Sequence, residues 1–152
     1  MMSAQADEEF MLLALEQGRL ALEQNEVPIG AVAVIDGKVI AQAYNLVESR
    51  KSVTFHAELQ LLKQLETRKG DWRMSDVTVY VTKEPCPMCT GALLLARVKK
   101  IVYAVDDDRY HVCRSLAEHS SGLWHPEVVS GVLADAALAQ LQEFFRQRRQ
   151  KN

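Results

Sequence analysis

Residues 77–105 read VTVYVTKEPCPMCTGALLLARVKKIVYAV. A β-branched run opens this stretch, an apolar helical segment follows the cysteines, and a second β-branched run, Lys100 to Val105, closes it. A strand, a helix and a strand in about thirty residues indicate a right-handed crossover between two parallel neighbours. The sequence therefore predicts an α/β fold with its chemistry at the carboxyl ends of the parallel strands.

The rest of the chain predicts a hairpin and three further helices. Residues 29–44 contain two β-branched runs joined by Asp36-Gly37, a dipeptide that favours a two-residue turn. The predicted helices are Asp7 to about Gln24, His56 to about Arg68 with a stop at Gly70, and Asp135, as N-cap, to about Arg149, burying Leu138, Leu141 and Phe145. We expect a single domain, residues 1–152, built as a three-layer α/β/α sandwich around a mixed five-stranded sheet.

The composition excludes several classes of protein. The 152 residues are 48% hydrophobic and 25% charged, as in an ordinary globular domain. There is no apolar run of membrane-spanning length and no secretory leader pattern, so we expect no membrane segment and a cytoplasmic location. The formal net charge of −2 argues against the broad electropositive surface of non-specific nucleic-acid binders.

A local basic cluster closes the chain, in FFRQRRQKN (residues 144–152). It contains Arg146, Arg148, Arg149 and Lys151. Cations at the end of a helix complement its dipole while staying solvated, and charge alone favours this interpretation over a binding surface.

The cysteines point to metal or thiol chemistry. Cys86, Cys89 and Cys113 are an odd number of thiols in a chain without signs of secretion, which argues against a disulfide framework. Cys86 and Cys89 begin a helix with Pro87 in its first turn, where free amide groups and the helix dipole favour thiolates. A single CxxC fits a redox pair, half of a structural zinc site or part of a catalytic metal site.

A second feature is FHAEL, which contains His56 and Glu58. Together with Pro85-Cys86-x-x-Cys89 it matches the H-x-E…P-C-x-x-C signature of zinc-dependent deaminases. One imidazole and two thiolates leave a fourth tetrahedral position for water, as a catalytic zinc ion requires.

Glu58 is the candidate for proton transfer. A carboxylate beside the metal can accept the water proton and then protonate the ring nitrogen and the departing amine. Residues two apart lie about 200° apart around a regular helix, so we expect His56 at the irregular first position of its helix. A structural zinc site is the alternative, with His111 or Cys113 as its fourth ligand.

On these residues the chain resembles the bacterial tRNA-specific adenosine deaminases of the cytidine-deaminase-like superfamily, from end to end. The segments that carry the resemblance are VPIGAVAVIDGKVIAQAYN (27–45), HAE (56–58), YVTKEPCPMCTGAL (80–93), ARVKKIVYAVDD (96–107) and GVLADAALAQLQEFFRQRR (131–149).

The resemblance implies one zinc ion per subunit held by His56, Cys86 and Cys89, proton transfer by Glu58, and a homodimer. Its implied substrate is adenosine at the wobble position of a tRNA anticodon loop. It also implies substrate contacts by a wider set of residues, some through the backbone: Asn45, Ala57, Glu84, Asp107, Arg109, Phe145, Arg148 and Arg149. Arginines of the tail would contact phosphate and make binding salt-sensitive.

Three departures from the family pattern keep a second substrate class open. Phe55 stands before HAE where a small residue is expected, Lys83 replaces an apolar residue, and DDDRYHVCRSL (106–116) replaces a glycine-rich loop. The alternative hypothesis is therefore a deaminase of a free nucleobase or nucleoside, such as guanine or cytosine. A third is a non-catalytic zinc or thiol redox module.

Overall fold

The computed structural model describes residues 3–119 and 124–151. The helices and strands of these residues are, in chain order, α1 Ala4–Glu23, β1 Gly30–Ile35, β2 Lys38–Tyr44, α2 Val47–Arg50, α3 Ala57–Lys69, β3 Thr78–Lys83, α4 Pro87–Leu95, β4 Lys100–Val105, α5 Cys113–His119, β5 Glu127–Val129 and α6 Ala134–Lys151. None of the helices described combines the length and the apolar character needed to cross a membrane.

The strands form one mixed sheet in the order β2-β1-β3-β4-β5. β1 runs antiparallel to β2 and β3, whereas β3, β4 and β5 are parallel. Asp36 and Gly37 both take positive φ, 49° and 75°, as a tight hairpin turn requires. The predicted hairpin and the predicted parallel pairing of β3 with β4 are therefore confirmed. The carboxyl ends of β3 and β4 meet at one edge of the sheet, just before Cys86.

Helices cover both faces of the sheet, which confirms the predicted three-layer sandwich. α1 and α6 bury one face, where Met11 and Ala137 pack against Val32 and Val102. α3, α4 and α5 bury the other face, in a core that includes Leu61, Val79, Leu93, Ile101 and Cys113. The site described below lies at the carboxyl edge between these layers.

The structure corrects the prediction for α6. Its buried residues are Ala137, Leu141 and Phe144, whereas Leu138 is 43% exposed and Phe145 is 49% exposed. Apolar residues occupy adjacent positions of this helix, so periodicity alone did not distinguish the buried face from its neighbour.

The predicted N-cap of α6 is also wrong. The helix begins at Ala134, so Asp135 lies inside its first turn, where a carboxylate still complements the helix dipole.

Short elements absent from the sequence prediction complete the fold. α2 has four residues and β5 has three, too few for a periodic signal. A fully buried carboxylate, Glu26, accepts hydrogen bonds from the amides of Glu48 (2.9 Å) and Ser49 (2.8 Å) at the start of α2. These bonds fix α2, which borders the site, to the connection between α1 and β1.

A buried polar network joins α1 to the sheet. The Tyr80 hydroxyl donates to Asp7 Oδ1 at 2.7 Å, and Lys100 Nζ lies 3.2 Å from Asp7 Oδ2. Asp7 is 6% exposed and Lys100 is 9% exposed, so this ion pair is largely shielded from water. Removing either partner would leave a buried charge uncompensated.

Candidate active site

Three potential metal ligands converge at the carboxyl edge of β3. Cys89 Sγ lies 3.4 Å and Cys86 Sγ 3.7 Å from Nδ1 of His56. Cys86 is the N-cap of α4, with Pro87 at the start of that helix, and His56 is the N-cap of α3. The starts of two helices therefore bring an imidazole and two thiols together.

His56 has the irregular position that the sequence predicted. Its φ of −69° and ψ of 151° are extended, and the helix begins only at Ala57. This extended residue allows the side chains of His56 and Glu58, two positions apart, to line the same cleft. A regular helix would direct them to nearly opposite sides.

The ligand distances fit a tetrahedral zinc ion. Zinc lies about 2.3 Å from sulfur and about 2.0–2.1 Å from nitrogen, so tetrahedral ligands are separated by roughly 3.6 Å. The observed separations of 3.4 and 3.7 Å lie close to this value. Two sulfurs and one imidazole are also the donor types that zinc prefers.

The two thiols differ in acidity because one hydrogen-bonds to the other. The hydrogen bond from Cys89 lowers the pKa of Cys86 to about 4, with help from His56 and the Cys89 amide. Donation to Cys86, together with burial, raises the pKa of Cys89. The hydrogen bond to Cys86 raises the pKa of His56. Binding of a metal ion would displace the shared proton from the thiol pair.

The candidate fourth ligands lie elsewhere. His111 Nδ1 is 2.8 Å from a carboxylate oxygen of Glu84, and the Cys113 amide donates to the other oxygen at 3.0 Å. Among residues 3–119 and 124–151, the group formed by His56, Cys86 and Cys89 contains no fourth His, Cys, Asp or Glu. This geometry favours a catalytic site over a structural one.

Glu58 lies in the first turn of α3 and is 3% exposed. Burial raises the pKa of its carboxyl to about 7, against the opposing effects of its own amide and of His56. Its side chain lines the cleft beside His56 and Cys86. A carboxylate that is almost fully buried next to a candidate metal site is suited to proton transfer.

The cleft has a volume of about 610 Å³ and opens over the carboxyl ends of β3 and β4. This is the edge at which the sequence predicted a ligand site. The lining combines polar groups of the site with apolar side chains from the β1 entry and α6, including Val27, Ile29, Leu138, Leu141 and Phe145. The exposed apolar side of α6 is thus a wall of the cleft, which explains why Leu138 and Phe145 are not core residues.

Asn45 borders this cleft and also shapes the chain. Its Oδ1 accepts the Val47 amide at 3.2 Å, and Nδ2 donates to the Val27 carbonyl at 3.3 Å. An amide nitrogen carries two hydrogens, so the second is free to meet a ligand. Asn45 is both a turn residue and a candidate substrate contact.

The backbone amides predicted to frame the cleft, those of Ala57 and Glu84, differ in their hydrogen bonding. Ala57 begins α3, and its amide therefore has no acceptor within the helix. The Glu84 amide, in contrast, donates to the Val105 carbonyl at 2.7 Å. Both residues line the cleft.

Hydrogen bonds to Glu84 hold residues 106–116, the segment that departs from the family pattern. This carboxylate is 3% exposed and accepts the amides of Asp107 (2.9 Å) and Cys113 (3.0 Å) as well as His111 Nδ1. The helix α5 begins at Cys113. We call these bonds the Glu84 clasp.

Four residues of the clasped segment, Asp106 to Arg109, line the cleft. Asp107 is buried, and its Oδ1 accepts the Arg109 amide at 2.8 Å. Burial would raise the pKa of Asp107, but this hydrogen bond and the charge of Lys83 lower it overall. Arg109 also lies 5.4 Å from the Tyr110 ring. Phe55, in contrast, packs near Arg50 and does not line the cleft.

Of the predicted tail residues, only Phe145 lines the cleft. Arg148 borders a neighbouring cavity of about 320 Å³ with Phe144 and Lys151, and Arg149 lines neither space. Glu48 lines both cavities, so the two are adjacent.

Sequence reasoning missed several residues of the cleft wall, among them Val27, Glu48, Leu138 and Gln142. They come from three separate segments and follow no spacing rule that would have linked them.

Comparisons with known proteins agree with this geometry. The MafB19-like deaminase family model matches residues 5–149. A tRNA-specific adenosine deaminase of Bacillus subtilis is 40% identical over 148 residues, covering 95% of this chain and 92% of that protein.

Two solved structures of deaminases are also similar to this chain. One, from a study of A-to-I editing by tRNA:A34 deaminases at the wobble position of transfer RNA, has a TM-score of 0.81 at 35% identity, covering 88% of this chain and 99% of the other. A guanine deaminase of Bacillus subtilis has a TM-score of 0.62 at 34% identity, covering 65% and 64% of the two chains.

Proposed function

The chain belongs to the MafB19-like deaminase family and to the tRNA-specific adenosine deaminases within the cytidine-deaminase-like superfamily, and we propose that it converts adenosine to inosine at the wobble position of a tRNA anticodon. The convergence of His56, Cys86 and Cys89 beside the buried carboxylate of Glu58, in one cleft, carries this proposal.

His56, Cys86 and Cys89 would hold one zinc ion per subunit, because their donor atoms and separations suit it. Zinc, when bound, makes a water molecule nucleophilic at neutral pH. The position of the ligands at two helix starts keeps all three on the cleft side of the core.

Glu58 moves the protons of the reaction. Its carboxylate takes a proton from the attacking water and passes it to N1 of the adenine ring as the C6–O bond forms. It then transfers the remaining hydroxyl proton to the amino group, the C6–N6 bond breaks, and ammonia leaves. Adenosine and water thus give inosine and ammonia, and Glu58 returns to its starting charge.

The flipped base would be held by groups already positioned in the cleft. The second Nδ2 hydrogen of Asn45 and the amide of Ala57, which has no acceptor within α3, can meet polar atoms of the base or ribose. Phe145 is half exposed on α6 and can stack on a neighbouring base. The clasped residues Asp107 and Arg109 also line the cleft.

The basic end of α6 would lie along the RNA backbone. Arg148 borders the smaller cavity next to the cleft, and Arg149 lies one residue further on the same helix. Phosphate contacts from such residues add affinity that falls with salt without reading sequence.

We further propose that the enzyme is a cytoplasmic homodimer. Its substrate class, tRNA, is used in the cytoplasm, and α4 ends in Leu95, which is 79% exposed. An exposed leucine suits a subunit contact. Sedimentation analysis at micromolar concentration tests the dimer, and a strictly monomeric species would exclude it.

The function is tested by incubating the zinc-loaded protein with total tRNA and mapping inosine in the anticodons. We expect conversion at the wobble adenosine that is abolished by Glu58→Gln. Zinc-replete protein that forms no inosine in any tRNA would refute the proposal.

A second candidate, deamination of a free base, is supported by the departures in residues 106–116 and by the similarity to a guanine deaminase of Bacillus subtilis. Ammonia release from a panel of free bases and nucleosides, run in parallel, separates the two. Turnover of guanine without inosine in tRNA would favour this candidate.

A further inference from the structure

Lys83 is a cation on the wall of the cleft that the proposed chemistry does not use. It is the last residue of β3 and pairs in register with Val105, the last residue of β4. Its side chain borders the same space as His56 and Glu58. Lys83 therefore lies where open α/β sheets bind ligands.

The charge of Lys83 is only partly compensated. Its side chain is 21% exposed, and the nearest carboxylate oxygen, Asp107 Oδ2, is 3.9 Å from Nζ, beyond hydrogen-bonding distance. The other oxygen of Asp107 accepts the Arg109 amide. Among residues 3–119 and 124–151, Lys83 Nζ donates no hydrogen bond. A mostly buried ammonium with unused donors gains from an anionic ligand.

The charges around the cleft favour one place for that anion. The lysine and arginine residues of the described lining are Lys83 and Arg109 alone. The lining also contains six carboxylates, which repel phosphate: those of Glu48, Glu58, Glu84, Asp106, Asp107 and Asp108. Arg109 is 70% exposed and already bonded to Asp107. Lys83 is thus the more enclosed of the two cations.

We propose that Lys83 binds a backbone phosphate next to the flipped nucleoside and so selects a nucleotide within a strand over a free base. This inference rests on the proposed function. A lysine ammonium is a compact charge well suited to phosphate. A nucleotide within RNA brings a phosphate on each side of its ribose, whereas a free base or nucleoside brings none.

The test compares Lys83→Gln and Lys83→Arg with wild type on an anticodon stem-loop at several salt concentrations. For Lys83→Gln we expect KM to rise roughly tenfold with little change in kcat, as for loss of one charge-assisted contact. The slope of log KM against log salt should fall by about 0.7, the value for one phosphate on a single strand. Lys83→Arg should restore most of the affinity.

Lys63→Gln is the matched control. The Lys63 side chain is 83% exposed on α3, so this substitution removes the same charge at a position away from the cleft. It should change neither KM nor the slope. Zinc content and melting temperature are measured for each variant, because a purely structural Lys83–Asp107 contact would lower stability without altering the salt slope.

The outcomes separate the two proposals. If the wild type converts the stem-loop and Lys83→Gln keeps the same KM and slope, the role of Lys83 is refuted while the function stands. If the zinc-loaded wild type converts no stem-loop, the proposed function fails and the inference fails with it.

Discussion

Replacing Glu84 by alanine should destabilise the fold and loosen one wall of the cleft. The carboxylate is buried and accepts the buried amides of Asp107 and Cys113, so both donors lose their partner in Glu84→Ala. Each unsatisfied buried donor costs about 1–3 kcal/mol, which gives roughly 2–6 kcal/mol in total. The bond to the exposed His111 side chain adds little to this sum.

That loss is large against a typical total stability of about 5–15 kcal/mol. Glu84→Gln retains one acceptor oxygen and should lose about half as much. Urea unfolding of zinc-loaded protein, followed by circular dichroism, measures the difference. We also expect a higher KM for RNA with one zinc ion still bound, because the clasped segment borders the cleft and supplies no ligand.

Glu66→Ala is the matched control. The Glu66 side chain is 40% exposed, and its ion pair with Lys63, at 3.7 Å, is a surface contact worth less than about 1 kcal/mol. If the free energy of unfolding of Glu84→Ala lies within about 0.5 kcal/mol of the wild-type value, the clasp contributes no stability and the reasoning is wrong.

The other predictions concern the site chemistry, the buried ion pair and pH. Glu58→Gln should keep one zinc ion but lose at least about a hundredfold in kcat, whereas Cys86→Ala should lose both metal and turnover; metal analysis beside an inosine assay checks each. Asp7→Ala should cost about 3–5 kcal/mol in urea unfolding because it leaves the ammonium of Lys100 buried and unpaired, and a cost below about 1 kcal/mol would exclude that role. The hydrogen bond to the Glu84 carboxylate raises the pKa of His111 above its ordinary 6.5. The stability that the protonated His111 contributes to the fold is therefore fully present below pH 6.5 and is lost as pH rises through the raised pKa. The difference in stability between wild type and His111→Asn should therefore shrink from about pH 5.5 to pH 9, and a constant difference would contradict the pairing.

Much of the fold followed from local patterns. The hairpin at Asp36-Gly37 and the stop at Gly70 depend on interactions within a few residues, and the crossover in residues 77–105 follows from the order of strand, helix and strand along the chain. The structure confirms all three. The side of α6 that is buried could not be predicted in this way. Apolar residues stand at adjacent positions of that helix, and only packing against the sheet selected Ala137, Leu141 and Phe144 for burial.

The sequence by itself predicted the chemistry that we propose for this protein, because the types and spacing of the His56, Glu58, Cys86 and Cys89 side chains limit which metal and which reaction they can support. The tertiary structure alone decided the surroundings of that chemistry. The Glu84 clasp joins positions 23 to 29 residues apart, and the cleft brings Lys83 on β3 together with Phe145 on α6. Contacts between segments so distant in the chain depend on how the layers pack, which no local pattern encodes.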